Sequence, residues 1–243
     1  MNLTLILLGI LQGIFEWIPI SSEGITSLLS GLLIKEINPI ELAIFLHIGT
    51  LFSAIVYYRK EWIDVITFKD KKLFRFLLIS TAISLTVGFP VFLLIHNITV
   101  GSVLLAITGT GLILTSILHK KKIKANIPLS SASVITGILQ GLSVIPGLSR
   151  SGTTIFGLSF SNLSPQQILK ISYMMSVPVI TAATVYLTIK TPLLLQTWPA
   201  LIAAFITGII SLHIIIRLSQ KINFTMFTAI FGLLCYIGAI ILL

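Results

Sequence analysis

Charged residues are scarce in this chain of 243 residues, where they make up 9% of the sequence. A typical soluble domain carries about a quarter charged residues. Hydrophobic residues make up 56% of the chain, and the mean hydropathy is +1.08. This composition excludes an ordinary soluble domain and indicates one polytopic membrane domain.

Acidic residues are absent after Asp70, because all seven lie between Glu16 and that position, and most basic residues lie in two short segments. A net charge of +9 alone could indicate nucleic-acid binding, but basic residues grouped in short loops are typical of membrane topology, so we expect no nucleic-acid partner.

The single cysteine, Cys235, excludes a disulfide within the chain. No basic residue precedes the apolar N-terminal run, so we expect no cleaved signal peptide. The sequence also lacks paired Cys/His zinc spacing, a P-loop and a Rossmann fingerprint.

One polar segment, residues 146–154, interrupts this apolar background. Its Arg150 is the only charged residue between Lys124 and Lys170, and an arginine at bilayer depth is costly unless it meets a partner or a wet cavity. Proline and glycine break the helix there, and irregular backbone at that depth must line a cavity or be buried in protein. A guanidinium, hydroxyls and freed N–H groups at a new helix N-terminus suit a phosphate. The alternative is a kinked span with a snorkelling arginine, which explains neither the glycines nor the hydroxyls. The predicted phosphate-binding residues are Ser149, Arg150, Ser151, Gly152 and Thr154.

The first 33 residues form a second interrupted region. A predicted helix from Leu3 to Ile18 places Gln12 and Glu16 on one face, because they are four residues apart. A polar break at 19–24 follows, and neither arm reaches the about 20 residues that a span needs. The region therefore predicts a re-entrant hairpin, with one long kinked span as the alternative. Glu16 is a functional candidate because it lies in an apolar arm; the alternative is a carboxylate near the membrane interface.

The remaining apolar segments predict six spans, joined by a basic loop at 59–75, a tight turn at 96–101 and a lysine-rich loop at 119–128. Ser164 is predicted to cap a helix whose first residue is Pro165. The predicted spans are 42–58, 76–95, 102–118, 168–189, 199–216 and 224–243.

An internal repeat relates the two interrupted regions. Gly9-Ile-Leu-Gln-Gly13 recurs letter for letter at Gly137–Gly141, and both copies lie eleven residues before another glycine. The chain then divides into halves at about 1–125 and 126–243, each with one hairpin and three spans. Because each half crosses the membrane an odd number of times, the second half is inverted relative to the first. In such inverted repeats the binding site lies near the midplane of the membrane. The predicted fold is an all-α integral membrane protein with six transmembrane helices and two re-entrant helical hairpins in an inverted-topology repeat.

The charges predict an orientation in the plasma membrane. Thirteen of the sixteen basic residues lie on the cytoplasmic side when the 59–75 and 119–128 loops are placed inside. The N-terminus and the C-terminus are then both outside.

Aligning the repeat glycines places Ser22 opposite Arg150. The second hairpin would supply an anion binder, and the first a nucleophile or a metal ligand. His47 lies in the first span, where we interpret it first as a hydrogen-bonded residue of the helix bundle rather than a ligand.

Two motifs resemble those of the undecaprenyl-pyrophosphate phosphatase family, also called the bacitracin-resistance protein family. The first is Gln12-x-x-x-Glu16 with Pro19-x-Ser-Ser-x-Gly24, and the second is Pro146-Gly-x-Ser-Arg-Ser-Gly-x-Thr154. The segment that begins His47-Ile-Gly-Thr-Leu is also similar to that family. The resemblance implies six spans, two re-entrant hairpins and dephosphorylation of a polyprenyl diphosphate lipid carrier with the help of a divalent cation. Two positions depart from the family pattern: Ile25 stands where a histidine is usual, and Glu23 where a small hydroxyl residue is usual.

These observations together predict a membrane phosphatase that converts an undecaprenyl-type diphosphate to the monophosphate lipid and phosphate. Arg150 would bind the diphosphate, and Ser22 would be the nucleophile. Glu16, helped by Gln12, would act as base or hold Mg²⁺ or Ca²⁺, whose preferred ligands are oxygens. Because Ile25 replaces the usual histidine, Glu23 and then His47 are the alternative bases, and we expect a His47→Ala variant to keep much of its turnover. The alternative function is a transporter or flippase for an anionic lipid or a small anion; membrane lipids and a second copy in a homodimer are further candidate partners.

Overall fold

The computed structural model describes residues 2–19, 21–34, 36–94, 102–120, 126–145, 148–221 and 223–241. These residues form eleven α-helices and a short 3-10 helix (Pro192–Thr197), with no β-strand among them, as the all-α prediction requires. The helices are α1 (Asn2–Phe15), α2 (Ser22–Leu33), α3 (Pro39–Tyr57), α4 (Arg59–Ile66), α5 (Lys71–Leu94), α6 (Ser102–Lys120), α7 (Leu129–Leu142), α8 (Arg150–Ser159), α9 (Pro165–Lys190), α10 (Trp198–Lys221) and α11 (Phe224–Ile241).

Four helical segments of the described chain are long and apolar enough to cross a membrane: α3, α5, α9 and Pro192–Ser219, which contains α10. Apolar side chains remain exposed along α10 at every fourth position from Ile202 to Ile214, each about half exposed. Such a continuous apolar stripe on a helix is stable against lipid and unstable against water. The chain is a multi-pass membrane protein.

The basic segment 59–75 is not the loop that the sequence predicts. It contains α4, and α5 begins at Lys71, before the predicted span start at 76. This segment forms a helix because its sequence is amphipathic: α4 buries Val65, while the charged residues of α4 face outward. The predicted turn at 96–101 and most of the lysine cluster after Lys120 lie outside the described residues.

The repeated glycine motif lets helices approach closely. α1 packs along α10, and α7 packs along α5. A Cβ atom added at Gly13 would lie 2.7 Å from the carbonyl oxygen of Ala204, and one added at Gly141 would lie 2.9 Å from that of Ser84. Both positions leave no room for a side chain, which is the role that small residues four apart have between membrane helices.

The breaks of the two hairpins meet in the middle of the bundle. The indole Nε1 of Trp17 donates to the carbonyl of Gly208 at 2.8 Å, and its ring makes an edge contact with Tyr173. The Tyr173 hydroxyl donates to the Trp17 carbonyl at 2.8 Å. The Ser151 hydroxyl of the second hairpin donates to the Ile18 carbonyl of the first at 3.2 Å. These bonds fix the first break against α9, α10 and the start of α8.

Candidate active site

The site forms where five elements converge. The turn after α1 supplies Glu16, the start of α2 supplies Ser22, and the start of α8 supplies Arg150. α3 adds His47, and α9 adds the backbone of Ser172. As the sequence predicts, the helix break that carries Glu16 and Ser22 lies against the helix break that carries Arg150.

Glu16 is the centre of the hydrogen-bond network, although it is only 3% exposed. Its Oε2 accepts from Gln12 Nε2 at 2.8 Å and from Ser22 Oγ at 3.0 Å. Its Oε1 pairs with Nη2 of Arg150. The bond to Gln12 confirms that both residues share one face, even though α1 ends at Phe15 and Glu16 itself lies in the turn. A hydroxyl bonded to a carboxylate in this way has the geometry of a nucleophile beside its base.

His47 reaches the site from α3, a position that the sequence left open. Its Nδ1 lies 2.8 Å from the carbonyl oxygen of Ala43, and its Nε2 lies 3.1 Å from Glu16 Oε2. A carbonyl oxygen can only accept, so Nδ1 carries a proton and donates it there. The contact between Nε2 and the carboxylate then joins two acceptors, and a second proton must lie between them. His47 is therefore a direct partner of the Glu16 carboxylate.

Arg150 joins the carboxylate to α9. Its Nη1 donates to the Ser172 carbonyl at 3.4 Å, while Nη2 faces Glu16. The Thr154 hydroxyl lies 2.6 Å from the Ser172 hydroxyl, and this contact holds α8 against α9. The arginine is thus positioned by partners on both sides, and 14% of its side chain remains exposed toward the cavities described below.

The predicted phosphate-binding hydroxyls have protein partners. Ser149 caps α8 by accepting from the Gly152 N–H at 3.1 Å, and its hydroxyl lies 3.2 Å from that of Ser151. Thr154 donates to the Arg150 carbonyl at 2.8 Å. These groups shape the turn before α8, and their contact with a phosphate stays a prediction. Pro146 and Gly147, the predicted helix breakers, lie outside the described residues.

Glu23 differs from Glu16 in having an acceptor without a partner. Its Oε1 is buried and makes no hydrogen bond to any residue that the structure describes. The neighbouring Ile25 is half-buried and brings no titratable group to the site. In the described part of the chain, no three His, Cys, Asp or Glu side chains gather as a ready-made metal site.

Sequence reasoning missed the contributions of α9 and the end of α7. The backbone of Ser172 binds Arg150, Tyr173 fixes the Trp17 turn, and Ser143 lines the polar pocket. The only signal for the α9 residues was the pair Ser172 and Ser176, four residues apart in an apolar span. Thr26, which donates to Gln12 Oε1 at 3.2 Å, could have been found from its repeat counterpart Thr154.

Two adjoining cavities open at these residues. The smaller, of about 20 Å³, is polar and is lined by Glu16, Ser22, Glu23, His47 and Arg150, among others. The larger, of about 220 Å³, shares Glu23, His47 and Arg150 with it. The rest of the larger wall is mostly apolar, with Phe89, Phe92, Val179, Ile180, Tyr186 and Leu187 among its residues. A polar head and an apolar chain on one molecule would fit this pair of spaces.

Comparison with known proteins gives one consistent match. The family model described as bacitracin resistance protein BacA matches residues 5–237. A protein named undecaprenyl-diphosphatase from Methanococcoides burtonii is 34% identical over 94% of this chain and 95% of its own length. Proteins of the same name from Thermosipho africanus and Haloarcula marismortui are 33% and 31% identical over at least 97% of each chain.

Proposed function

The chain belongs to the bacitracin resistance protein BacA family, and from that premise we propose that it is a membrane phosphatase acting on undecaprenyl diphosphate. The reaction hydrolyses the phosphoanhydride bond and yields phosphate and the monophosphate lipid. One observation carries the proposal: the Ser22 hydroxyl is hydrogen-bonded to Glu16 beside Arg150, in a polar pocket that adjoins an apolar cavity. Nucleophile, base, anion binder and lipid space thus lie together.

Arg150 binds the terminal phosphate in this proposal. Its guanidinium lines both cavities and offers a planar set of donors, which suits the oxygens of a phosphate better than a point charge would. Its pairing with Glu16 keeps it oriented before the substrate arrives. Donors fixed in advance around a developing charge are a large source of transition-state stabilisation.

Ser22 attacks the terminal phosphorus while its proton passes to Glu16. The bond between that phosphorus and the bridging oxygen breaks, its electron pair leaves with the lipid monophosphate, and the leaving oxygen takes the proton from Glu16. Water then hydrolyses the phosphoserine: the water oxygen stays with the phosphate, and a water proton restores the Ser22 hydroxyl. Gln12 and His47 hold the Glu16 carboxylate in place throughout. Direct attack by water is the alternative route, and it would leave Ser22 dispensable.

The apolar cavity between α5 and α9 takes the first part of the lipid chain. Phe89 and Phe92 of α5 and Tyr186 of α9 pack edge to face along it, so its wall offers carbon surface from the polar head outward. A site at membrane depth lets the lipid reach the catalytic residues without leaving the bilayer.

A divalent cation, Mg²⁺ or Ca²⁺, is part of the proposal as a cofactor, with Glu16 as the ligand that the sequence predicts. When bound, it would neutralise charge on the diphosphate. The carboxylate oxygens of the site are suitable ligands for a hard cation. Both oxygens of Glu16 already have donors, however, so a cation there would have to displace one of them.

The membrane layout is also a proposal: six spans and two re-entrant hairpins in an inverted repeat, in the plasma membrane, with both termini outside. The helix packing supports it, because α1 against α10 mirrors α7 against α5, while α3 meets α9 and α6 meets α11. Cysteines placed in the 59–75 and 119–128 segments should react with a membrane-impermeant reagent from the same side. Reaction from opposite sides would exclude this layout. A homodimer stays a prediction.

Phosphate release by the purified protein in detergent tests the function. With undecaprenyl diphosphate as substrate, we expect inorganic phosphate and the monophosphate lipid in equal amounts. A transporter or flippase, the alternative function, needs a binding arginine but no nucleophile, and it would release none. Movement of the lipid across vesicle membranes without any phosphate release would therefore replace the phosphatase proposal.

A further inference from the structure

We infer that Glu23, together with Gln140 and Ser143, forms the divalent-cation site of this protein, and that Glu16 does not bind the cation. The inference concerns binding of Mg²⁺ or Ca²⁺ at the wall shared by the two cavities. The role of the cation in turnover rests on the proposed phosphatase function, but its binding can be measured without substrate.

The first observation is the unpartnered carboxylate oxygen of Glu23. The residue lies in the first turn of α2 and lines both cavities. Its Oε1 is buried without a hydrogen-bond partner among the described residues. A buried carboxylate is costly unless a charge or a donor compensates it. Arg150, the arginine of the same two cavities, is paired with Glu16 instead.

The second observation, independent of the first, is the Gln140 amide. Gln140 is 2% exposed and also lines the larger cavity. Its Nε2 donates to the Met175 carbonyl at 3.2 Å and to Ser84 Oγ at 3.1 Å. Because the Met175 carbonyl can only accept, the amide must present nitrogen on that side. Its Oε1 then points elsewhere and has no partner in the described chain.

Ser143 connects these two acceptors. It lies one residue beyond the end of α7, about one turn after Gln140, and lines both cavities. Its hydroxyl proton is used in a 2.7 Å bond to the Gln140 carbonyl, so its oxygen faces the cavities as an acceptor. The wall thus offers a carboxylate, an amide and a hydroxyl oxygen. Arg150, which lines the same wall, is already paired with Glu16, and a set of oxygen ligands of this kind suits Mg²⁺ or Ca²⁺.

Glu16 is the less suitable ligand of the two acids that line the polar pocket. Gln12, Ser22, His47 and Arg150 all approach its two oxygens, and the guanidinium charge beside it would repel a cation. Mg²⁺ is usually held by one or two carboxylates and by substrate phosphates. A cation on Glu23 could meet a phosphate bound by Arg150 without separating Arg150 from Glu16.

The test measures binding of Mn²⁺, as a spectroscopic substitute for Mg²⁺, to the purified full-length protein in detergent without substrate. Electron paramagnetic resonance of free Mn²⁺ gives the affinity. We expect Glu23→Gln to weaken binding at least about tenfold, and Gln140→Met to weaken it less. Glu16→Gln should also weaken it less than Glu23→Gln, and only through the Arg150 charge that it leaves unpaired. The exposed Glu36 supplies a matched control, and Glu36→Gln should bind like the unmodified chain.

Thermal unfolding gives a second readout that does not depend on activity. Mn²⁺ should raise the melting temperature of the unmodified protein but not that of Glu23→Gln, because only a ligand that binds the folded state stabilises it. Without the cation, Glu23→Gln should be about as stable as the unmodified chain, since the Glu23 Oε1 has no hydrogen bond to lose. Unchanged Mn²⁺ affinity in Glu23→Gln, or no Mn²⁺ binding by the unmodified protein, would overturn the inference. Phosphate release by the unmodified protein judges the proposed function separately.

Discussion

The two hairpins begin their second helices in the same way and carry different chemistry. Ser21 caps α2 by accepting from an N–H three residues on at 3.0 Å, and Ser149 caps α8 likewise at 3.1 Å. The next residue, however, is Ser22 in the first hairpin and Arg150 in the second. The repeat thus preserves the backbone of a helix N-terminus twice, while the side chain one position later decides what each copy does. The Ser22 hydroxyl, with Glu16, can meet the Arg150 guanidinium only because the two copies differ at the position after the cap.

Ser22→Ala breaks this comparison at its most sensitive position. We expect turnover to fall at least about 10³-fold, because the nucleophile and the proton that Glu16 would take are both lost. Phosphate release from undecaprenyl diphosphate measures it. Glu16→Gln should be about as inactive, since the amide cannot accept the proton.

Ser21→Ala is the matched control for the nucleophile. It removes the adjacent hydroxyl, which caps α2, and should keep most of the turnover. High activity in Ser22→Ala would instead favour direct attack by water.

Arg150→Lys alters the counterpart in the second hairpin. Lysine keeps the charge but loses the planar pair of donors that the guanidinium directs at Glu16 and Ser172. We expect kcat/KM to fall by at least about tenfold to a hundredfold, on the scale of a lost transition-state donor. Near-normal kinetics would remove Arg150 from the phosphate-binding role.

The sequence predicted this comparison better than it predicted the surroundings. The repeat and the helix breaks located the residues that meet, because glycine, proline and isolated charges are rare and informative in an apolar chain. It could not show that α3 directs His47 at Glu16, because that contact depends on how α3 and the first hairpin pack. Nor could it show the Ser172 carbonyl, since a backbone acceptor leaves no mark in the residue type.

The predicted loop at 59–75 failed for a related reason. Its charged residues indicated a polar connection, but an amphipathic helix can be charged on one side and still bury Val65 on the other. Hydropathy averaged over the segment hides that periodicity.

His47→Ala sharpens the comparison from outside the hairpins. The sequence alone predicts that much turnover remains, but the 3.1 Å contact with Glu16 leads us to expect a loss of about tenfold in kcat. His47 acts through the carboxylate, so KM should change less than kcat. His47→Gln, which can still donate toward Glu16, should recover part of the loss. Equal inactivity of His47→Ala and Ser22→Ala would make His47 the base.

The smallest effects should come from the two caps, where the hairpins are alike. Ser21→Ala and Ser149→Ala should each lower the free energy of unfolding by about 1 kcal/mol, because each leaves one helix N–H without its acceptor. Thermal or denaturant unfolding in detergent measures both variants.

Glycine at either position costs only a few tenths of a kcal/mol as a cap, so Ser149→Gly removes the hydroxyl with little loss of the cap. If Ser149→Gly loses turnover while Ser21→Gly does not, the Ser149 hydroxyl contacts the phosphate and the hairpins differ at their caps as well. Equal activity of both glycine variants would confine the chemical difference to the position after the cap.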